Sequence, residues 1–214
     1  MVKPPIILVD FGSKYTKYII RSLERLTIRY VMLSANKEKP EGDELFKEIQ
    51  AQPKIGIILS GSHDNLYEPK ARRLPHEFIP YLIATKIPTM GICYGHQIIV
   101  YLCGGKIVKN PLGLEKGHLV FSQTRSNYPL FKDLPKQFKV KMHHYDVIEQ
   151  LPPNCLFQNF GKTDKTQYGA IQMVLEDKPL PIFGIQLHPE KCSRVINQVI
   201  FRNFYAICNN SSKE

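Results

Sequence analysis

Residues 87–105 read Ile-Pro-Thr-Met-Gly-Ile-Cys-Tyr-Gly-His-Gln-Ile-Ile-Val-Tyr-Leu-Cys-Gly-Gly. The apolar run from Ile87 to Ile92 predicts a short buried strand, and His96 to Cys103 predicts an apolar helix that stops at the glycine pair 104–105. Cys93 stands between the two, with Gly91 and Gly95 at G-x-nucleophile-x-G spacing. Small neighbours let the chain turn sharply enough to hold a strained residue on an exposed elbow. The following helix aims its free N–H groups and the positive end of its dipole at the sulfur, which favours thiolate over thiol. A buried structural cysteine is the commoner use of this residue. The paired glycines and the switch from strand to helix give Cys93 the place of a nucleophile instead, and a nucleophile needs a base.

The chain around the elbow alternates. Ile6 to Asp10 is an apolar run ending in an acid; Phe11-Gly12-Ser13 then makes a turn, with Ser13 as helix N-cap, and Tyr15, Tyr18, Ile19, Leu23 and Leu26 share one helical face. Asp10-Phe-Gly12 is not a kinase signature, since no catalytic loop or glycine-rich loop precedes it. Strands are expected at 28–33 and 55–59, with helices at 41–50 and 75–84. This alternation predicts an α/β fold, an open and mostly parallel sheet with helices on both faces, whose site forms beyond the C-terminal strand ends. Asp10, Ser60 and Cys93 all fall there. Residues 106–109, 118–123 and 138–142 have β character, with turn signals at 110–113 and 152–154, so a mixed or antiparallel extension is expected. Runs at 167–175 and 181–187 read as two further strands, the second leading into His188-Pro-Glu190. A strand that delivers His and then Glu two residues later points both side chains to one face, and this supplies the base. Val195, Ile196, Val199, Ile200, Phe204 and Ile207 recur at helical spacing over 193–208.

A length of 214 residues with 43% hydrophobic content suits one domain, expected over residues 1–208, with 209–214 a frayed tail. No run approaches the roughly 18 apolar residues of a membrane helix, and Met1-Val-Lys-Pro-Pro5 lacks the apolar core of a secretory signal, so a cytoplasmic location is expected. Five cysteines without C-x-x-C spacing suggest neither a disulfide framework nor a zinc knuckle. The net charge of +10 is spread along the chain, with concentrations at Lys70, Arg72 and Arg73 and at Lys132, Lys136, Lys139 and Lys141. No aromatic–basic module accompanies it, so solvated surface or a protein-docking face is expected rather than nucleic acid. Histidines 118, 143, 144 and 188 lack metal-ligand spacing, and no metal site is expected.

The Gly91 to Gln97 elbow together with the late His188-Pro-Glu190 resembles the class I glutamine amidotransferases. Within that class the chain is most similar to the glutaminase part of GMP synthetases, through Asp10 to Thr16, Leu59-Ser-Gly61, Tyr67-Glu68, Tyr94, Gly104 to Lys106, Glu115, Gly117, Gly184-Ile-Gln186 and the segment 203–208. The resemblance runs from about residue 6 to residue 208. With it comes the expectation of a flavodoxin-like sheet and of glutamine hydrolysis by a Cys93–His188–Glu190 triad. Cys93 would attack the side-chain amide, His188 would protonate the departing ammonia and then activate water, and Glu190 would orient the imidazole. Backbone N–H groups of Gly61, Ser62 and Tyr94 would hold the oxyanion. Gln97, His144 and Asp146 correspond to residues that line the substrate pocket. No cofactor is expected on this chain; ATP and Mg2+ would bind a separate ATP pyrophosphatase subunit that takes up the ammonia and aminates XMP. Two departures stand out. The family usually has Ser-Gly-Gly-Pro where this chain has Ser60-Gly-Ser-His63, and if Ser62 needs positive φ the cost is about 1–2 kcal/mol. Tyr145 replaces a glycine and is expected to narrow the approach. Other readings are the amidotransferase of another pathway, such as anthranilate synthesis, a catalytically silent regulatory subunit, and a partner-independent γ-glutamyl hydrolase.

Overall fold

In the computed structural model, residues 3–153 and 156–211 are described. The first half of the chain follows the alternation in the sequence. β1 (Ile6–Asp10), α1 (Thr16–Arg25), β2 (Tyr30–Ser34), α2 (Asp43–Ala51), β3 (Gly56–Leu59), α3 (Phe78–Thr85), β4 (Thr89–Ile92) and α4 (Tyr94–Leu102) succeed one another. Next come β5 (Lys106–Lys109), β6 (Glu115–Gln123), β7 (Gln137–His144), β8 (Asp146–Gln150), β9 (Phe157–Lys162), β10 (Ala170–Leu175), β11 (Lys178–Ile185) and α5 (Arg194–Ser211). The main sheet runs β2-β1-β3-β4-β11-β10-β9-β6-β7, and β5 pairs with β8 separately. Strands β2, β1, β3, β4 and β11 are parallel; from β11 outward through β10, β9, β6 and β7 every pairing is antiparallel. The expected mixed extension is therefore wholly antiparallel. It includes β9, which, like β8 of the separate pair, has a short polar-interrupted sequence with little periodicity.

Alternate residues of each central strand face opposite layers, as a two-residue period requires. Ile6, Leu8, Ile58, Met90, Ile92, Phe183 and Ile185 pack against α1 and α5 through Ile19, Leu23, Ile200 and Phe204. Ile7, Val9, Ile57, Leu59 and Ile182 pack against α2, α3 and α4 through Phe46, Ile49, Phe78, Leu82, Ile98 and Ile99. The central strands are buried on both sides and so read as unbroken apolar runs. In α5 the buried face consists of Ile196, Asn197, Ile200, Phe201, Phe204 and Cys208. Val195, expected on that face, is exposed. The helix also runs through Asn209, Asn210 and Ser211, into the segment expected to be frayed; residues 212–214 lie outside the described residues, as do Asn154 of the expected turn and Cys155.

Two close approaches fix the centre. A Cβ on Gly91 would lie 2.4 Å from the Gly95 carbonyl oxygen and 2.6 Å from the His96 nitrogen, and one on Gly95 would lie 2.4 Å from the Leu59 carbonyl oxygen. The two glycines let α4 sit directly on β3 and β4.

Candidate active site

β4 ends at Ile92 and α4 begins at Tyr94, so Cys93 alone makes the turn, two residues sooner than the sequence predicts. Its φ is 53° and its ψ −102°, a conformation that costs a non-glycine residue about 1–3 kcal/mol. The surroundings hold it there. Its N–H donates to the Ile185 carbonyl at 2.8 Å, and its carbonyl accepts the Gln97 N–H at 3.1 Å. The elbow is not exposed, as the sequence suggested; Cys93 is buried at the floor of a cavity. The N-terminal end of α4 lies against the sulfur and favours negative charge there.

The histidine arrives from the next strand. β4 and β11 run parallel with Gly91 beside Gly184 and Ile92 beside Ile185, and β11 continues into Gln186, Leu187 and His188. His188 and Glu190 do not lie on a strand. His188 has φ −100° and ψ 87°, and Pro189–Lys191 forms a single 3-10 turn. That turn, rather than strand alternation, brings Glu190 Oε1 to 2.7 Å from His188 Nδ1. Burial disfavours charge on the ring, yet the Cys93 sulfur, which hydrogen-bonds the imidazole, and the Glu190 carboxylate outweigh it and raise His188 from 6.5 to about 10. A charged imidazole between sulfur and carboxylate is the partner that a thiolate requires. The folded-state value is raised, so this contribution to stability is fully present below about pH 6.5 and lost as pH rises toward about 10. Urea unfolding at pH 6.5 and pH 10 is expected to show a steeper loss for the wild type than for Cys93→Ala, which lacks the sulfur's share.

Of the three expected oxyanion donors, Gly61 lies beside Cys93 and His188, and Ser62 and Tyr94 line the same cavity. A Cβ on Gly61 would sit 3.8 Å from Cys93 Cβ and 3.4 Å from His188 Cε1, so glycine keeps this space open. Ser62 is not among the residues with positive φ, so the expected strain does not arise. Instead its hydroxyl donates to the Phe11 carbonyl at 2.8 Å and accepts the Asp64 N–H at 3.0 Å, tying the β3 loop to the β1 loop. Tyr94 donates its hydroxyl to the Arg72 carbonyl at 2.7 Å. Arg72 in turn makes a two-point ion pair with Asp64, at 2.7 and 3.0 Å. Asp64 lies below its usual value even though burial pushes it up, because the Arg72 hydrogen bonds and charge prevail.

The cavity above Cys93 measures about 240 Å³; Ser13, Tyr15, Gln97, His143, Tyr145 and Asp146 are among its walls. A larger hollow of about 740 Å³ lies around residues 123–136, among β6, β7 and the turn between them, and holds no triad residue. Gln97 is buried, and its amide donates to the Asp146 carbonyl at 2.9 Å and to Gln186 Oε1 at 3.1 Å. His144 spends both ring nitrogens inside the chain, on the Asp146 carbonyl and on Glu115 Oε2, each at 3.0 Å. Glu115 also accepts from Thr163 and Thr166. Asp146 turns its carboxylate to the Tyr67 hydroxyl at 3.2 Å, and burial raises it. Tyr145 stands at the rim, 56% exposed. Asp10, at the end of β1, accepts from the Gly12 N–H and the Thr16 hydroxyl and so fastens the turn into α1. Ser13 accepts the Tyr15 N–H but lies outside the helix that it was expected to cap.

Sequence reasoning assigned no role to several neighbours of the triad. Gln186 is fully buried and donates to Cys93 Sγ at 3.4 Å; its position two residues before His188 was the available signal. Tyr15 sets its ring edge-on to His188, with centroids 4.9 Å apart, and its hydroxyl lies 3.0 Å from His143 Nδ1. No local pattern could bring residues 15, 143 and 188 together.

Known proteins resemble this chain in sequence and in fold. Residues 7–208 match the family model described as glutamine amidotransferase class-I. The glutamine-hydrolyzing GMP synthase of Thermosipho africanus is 33% identical over 199 residues, covering 93% of this chain and 35% of the relative. That of Streptococcus mutans is 34% identical over 208 residues, covering 95% and 36%. The chain thus spans about a third of the length of these relatives. A putative GMP synthase subunit from Thermoplasma acidophilum superposes with a TM-score of 0.78 at 25% identity, over 100% of this chain and 98% of that one. A glutamine amidotransferase from Thermotoga maritima shares the fold at a TM-score of 0.68 and 16% identity. The family match over nearly its whole length shows that the chain belongs to the class I glutamine amidotransferases, an enzyme of that class similar along its length to about a third of the glutamine-hydrolyzing GMP synthases.

Proposed function

We propose that this chain is the glutaminase component of a GMP synthetase, releasing ammonia from L-glutamine for a partner that aminates XMP. The observation that carries the reading is the hydrogen-bonded sequence Cys93, His188, Glu190 at the floor of a cavity large enough for an amino acid. The likeness to GMP synthases supports the choice of pathway.

The Cys93 sulfur attacks the carboxamide carbon of glutamine, and the carbonyl π electrons move to oxygen. Backbone N–H groups of Tyr94, Gly61 and Ser62 hold that oxyanion. His188 gives its proton to the nitrogen, the C–N bond breaks, and ammonia leaves a thioester on Cys93. The now neutral imidazole takes a proton from water, the resulting hydroxide attacks the thioester, and glutamate departs as the sulfur regains its electron pair. Glu190 stabilises each imidazolium stage. The Asp146 carboxylate at the cavity wall is the counter-charge for the substrate ammonium group, and Gln97 and His144 fix the segment that bears it. ATP and Mg2+ act on the partner, an ATP pyrophosphatase, and are not needed for these steps. The enzyme works in the cytoplasm.

The test is ammonia release from glutamine by the chain alone and with an ATP pyrophosphatase subunit, ATP and XMP, with Cys93→Ala as the blank. GMP formation that depends on glutamine and on Cys93 is the expected outcome. Glutamine hydrolysis without any GMP would remove the pathway assignment. Failure of a glutamine-mimicking electrophile to label Cys93 would remove the mechanism.

A further inference from the structure

β6 and β7 form an antiparallel pair at the end of the main sheet, and their alternation is clean. Glu115, Phe121, Phe138, Val140, Met142 and His144 are buried on one side. On the other side Lys116 stands opposite His143, His118 opposite Lys141, and Val120 opposite Lys139. Lys116, His118, Lys139 and Val120 are exposed, and Val120 is 52% accessible. Lys116, Lys139 and Lys141 on this outer face thus stand opposite His143, Val120 and His118, with no carboxylate directly across from any of them.

The basic face continues around the cavity mouth. The Tyr15–His143 contact joins β7 to the start of α1, where Lys14, Lys17, Arg21 and Lys191 crowd two aromatic rings. Lys191 lies 3.8 Å above the centre of Tyr18. Seven lysines and arginines thus border one face, at positions 14, 17, 21, 116, 139, 141 and 191. Among the described residues none of the seven has a carboxylate within ion-pair distance, although the chain pairs Lys39 with Glu44 and Lys106 with Glu149 elsewhere. Cation–π contacts give Lys14, Lys17, Arg21 and Lys191 a modest local anchor without neutralising their charge.

We propose that the outer face of the β6–β7 pair, together with the first turns of α1, docks a carboxylate-rich protein surface, that of the module which receives the ammonia. This rests on the function proposed above. Charge complementarity and place both point to it: the face borders the cavity from which ammonia leaves, and about two thirds of the length of the relatives lies outside this chain. A single-stranded nucleic acid fits less well, because Tyr15 and Tyr18 are already covered by cations and offer no free platform for bases. Steering by such a face acts on association and is screened by salt.

The experiment compares the wild type with the triple variant Lys17→Glu, Lys116→Glu, Lys139→Glu, none of which lines the cavity. Affinities for a 30-nucleotide RNA and for the ATP pyrophosphatase subunit are measured at low and high salt, beside electrophile labelling of Cys93. The expected result is that the variant's affinity for the pyrophosphatase subunit falls about tenfold or more, with a shallower salt dependence, while its melting temperature and Cys93 labelling are unchanged. Equal affinity of variant and wild type overturns the proposal, as does tighter wild-type binding to RNA than to protein. Loss of Cys93 labelling in the wild type overturns the glutaminase reading instead, and the binding arms still report on docking.

Discussion

Glu190→Gln is expected to lower kcat for glutamine hydrolysis about 1,000-fold and to leave the fold intact. Glu190 Oε1 sits 2.7 Å from His188 Nδ1, and its side chain is almost wholly buried. The amide has the same shape and keeps a hydrogen-bonding atom near Nδ1, so packing is preserved. What it loses is the negative charge that helps the ring stay protonated. Replacing the acid of a serine-protease triad by its amide costs about 10,000-fold. The effect here is smaller because the Cys93 sulfur supplies a second anion on the other side of the same ring. The pH–rate profile is the discriminating measurement: the limb that reports the imidazole should move to lower pH in the variant. An unshifted limb with a uniformly lower rate would mean that Glu190 acts through packing alone.

The second large effect is on stability. Gly91→Ala puts a methyl group 2.4 Å from the Gly95 carbonyl oxygen and 2.6 Å from the His96 nitrogen. Both are backbone atoms of the elbow, held by β3 and β4, and neither can swing aside as a side-chain tip would. Overpacking of this kind costs typically 1–3 kcal/mol, and a backbone obstacle places it at the upper end, about 3 kcal/mol. For a chain of this size that corresponds to a fall in melting temperature of about 6–12 °C. Activity should fall further than stability, since relief of the clash moves Cys93 out of its φ of 53°. A melting temperature within a degree of wild type would show that α4 can lift from the sheet without cost.

Much of this architecture was legible in the sequence because it follows from local periodicity. In the parallel half, β1, β3 and β4 are doubly buried apolar runs that lead to Asp10, Ser60 and Cys93, with helices between them, whereas β2 is only partly buried. The antiparallel half was harder. β8 and β9 are short, β8 pairs with the earlier β5, and β9 lies between its chain neighbour β10 and the distant β6, so no clear period marked either strand. In the site, Cys93 and His188-Pro-Glu190 were visible as motifs, whereas the device that joins His188 to Glu190 is a 3-10 turn, which His-Pro-Glu by itself does not distinguish from a strand end. The concern over Ser62 came from assuming left-handed backbone there. The chain uses the serine hydroxyl as a brace between two loops, and this can be recognised only once Phe11 is known to be its neighbour.

The pairing of β4 with β11 carries one more consequence, for the order of events in folding. Gln186 and Cys93 touch although 93 residues of chain separate them, so sulfur and imidazole meet only after a long loop has closed and the central strands have found their register. During synthesis the elbow emerges well before the histidine does. Refolding followed by two probes should therefore show secondary structure returning before the electrophile can label Cys93 rapidly, with the appearance of the reactive thiol reporting completion of the sheet's centre.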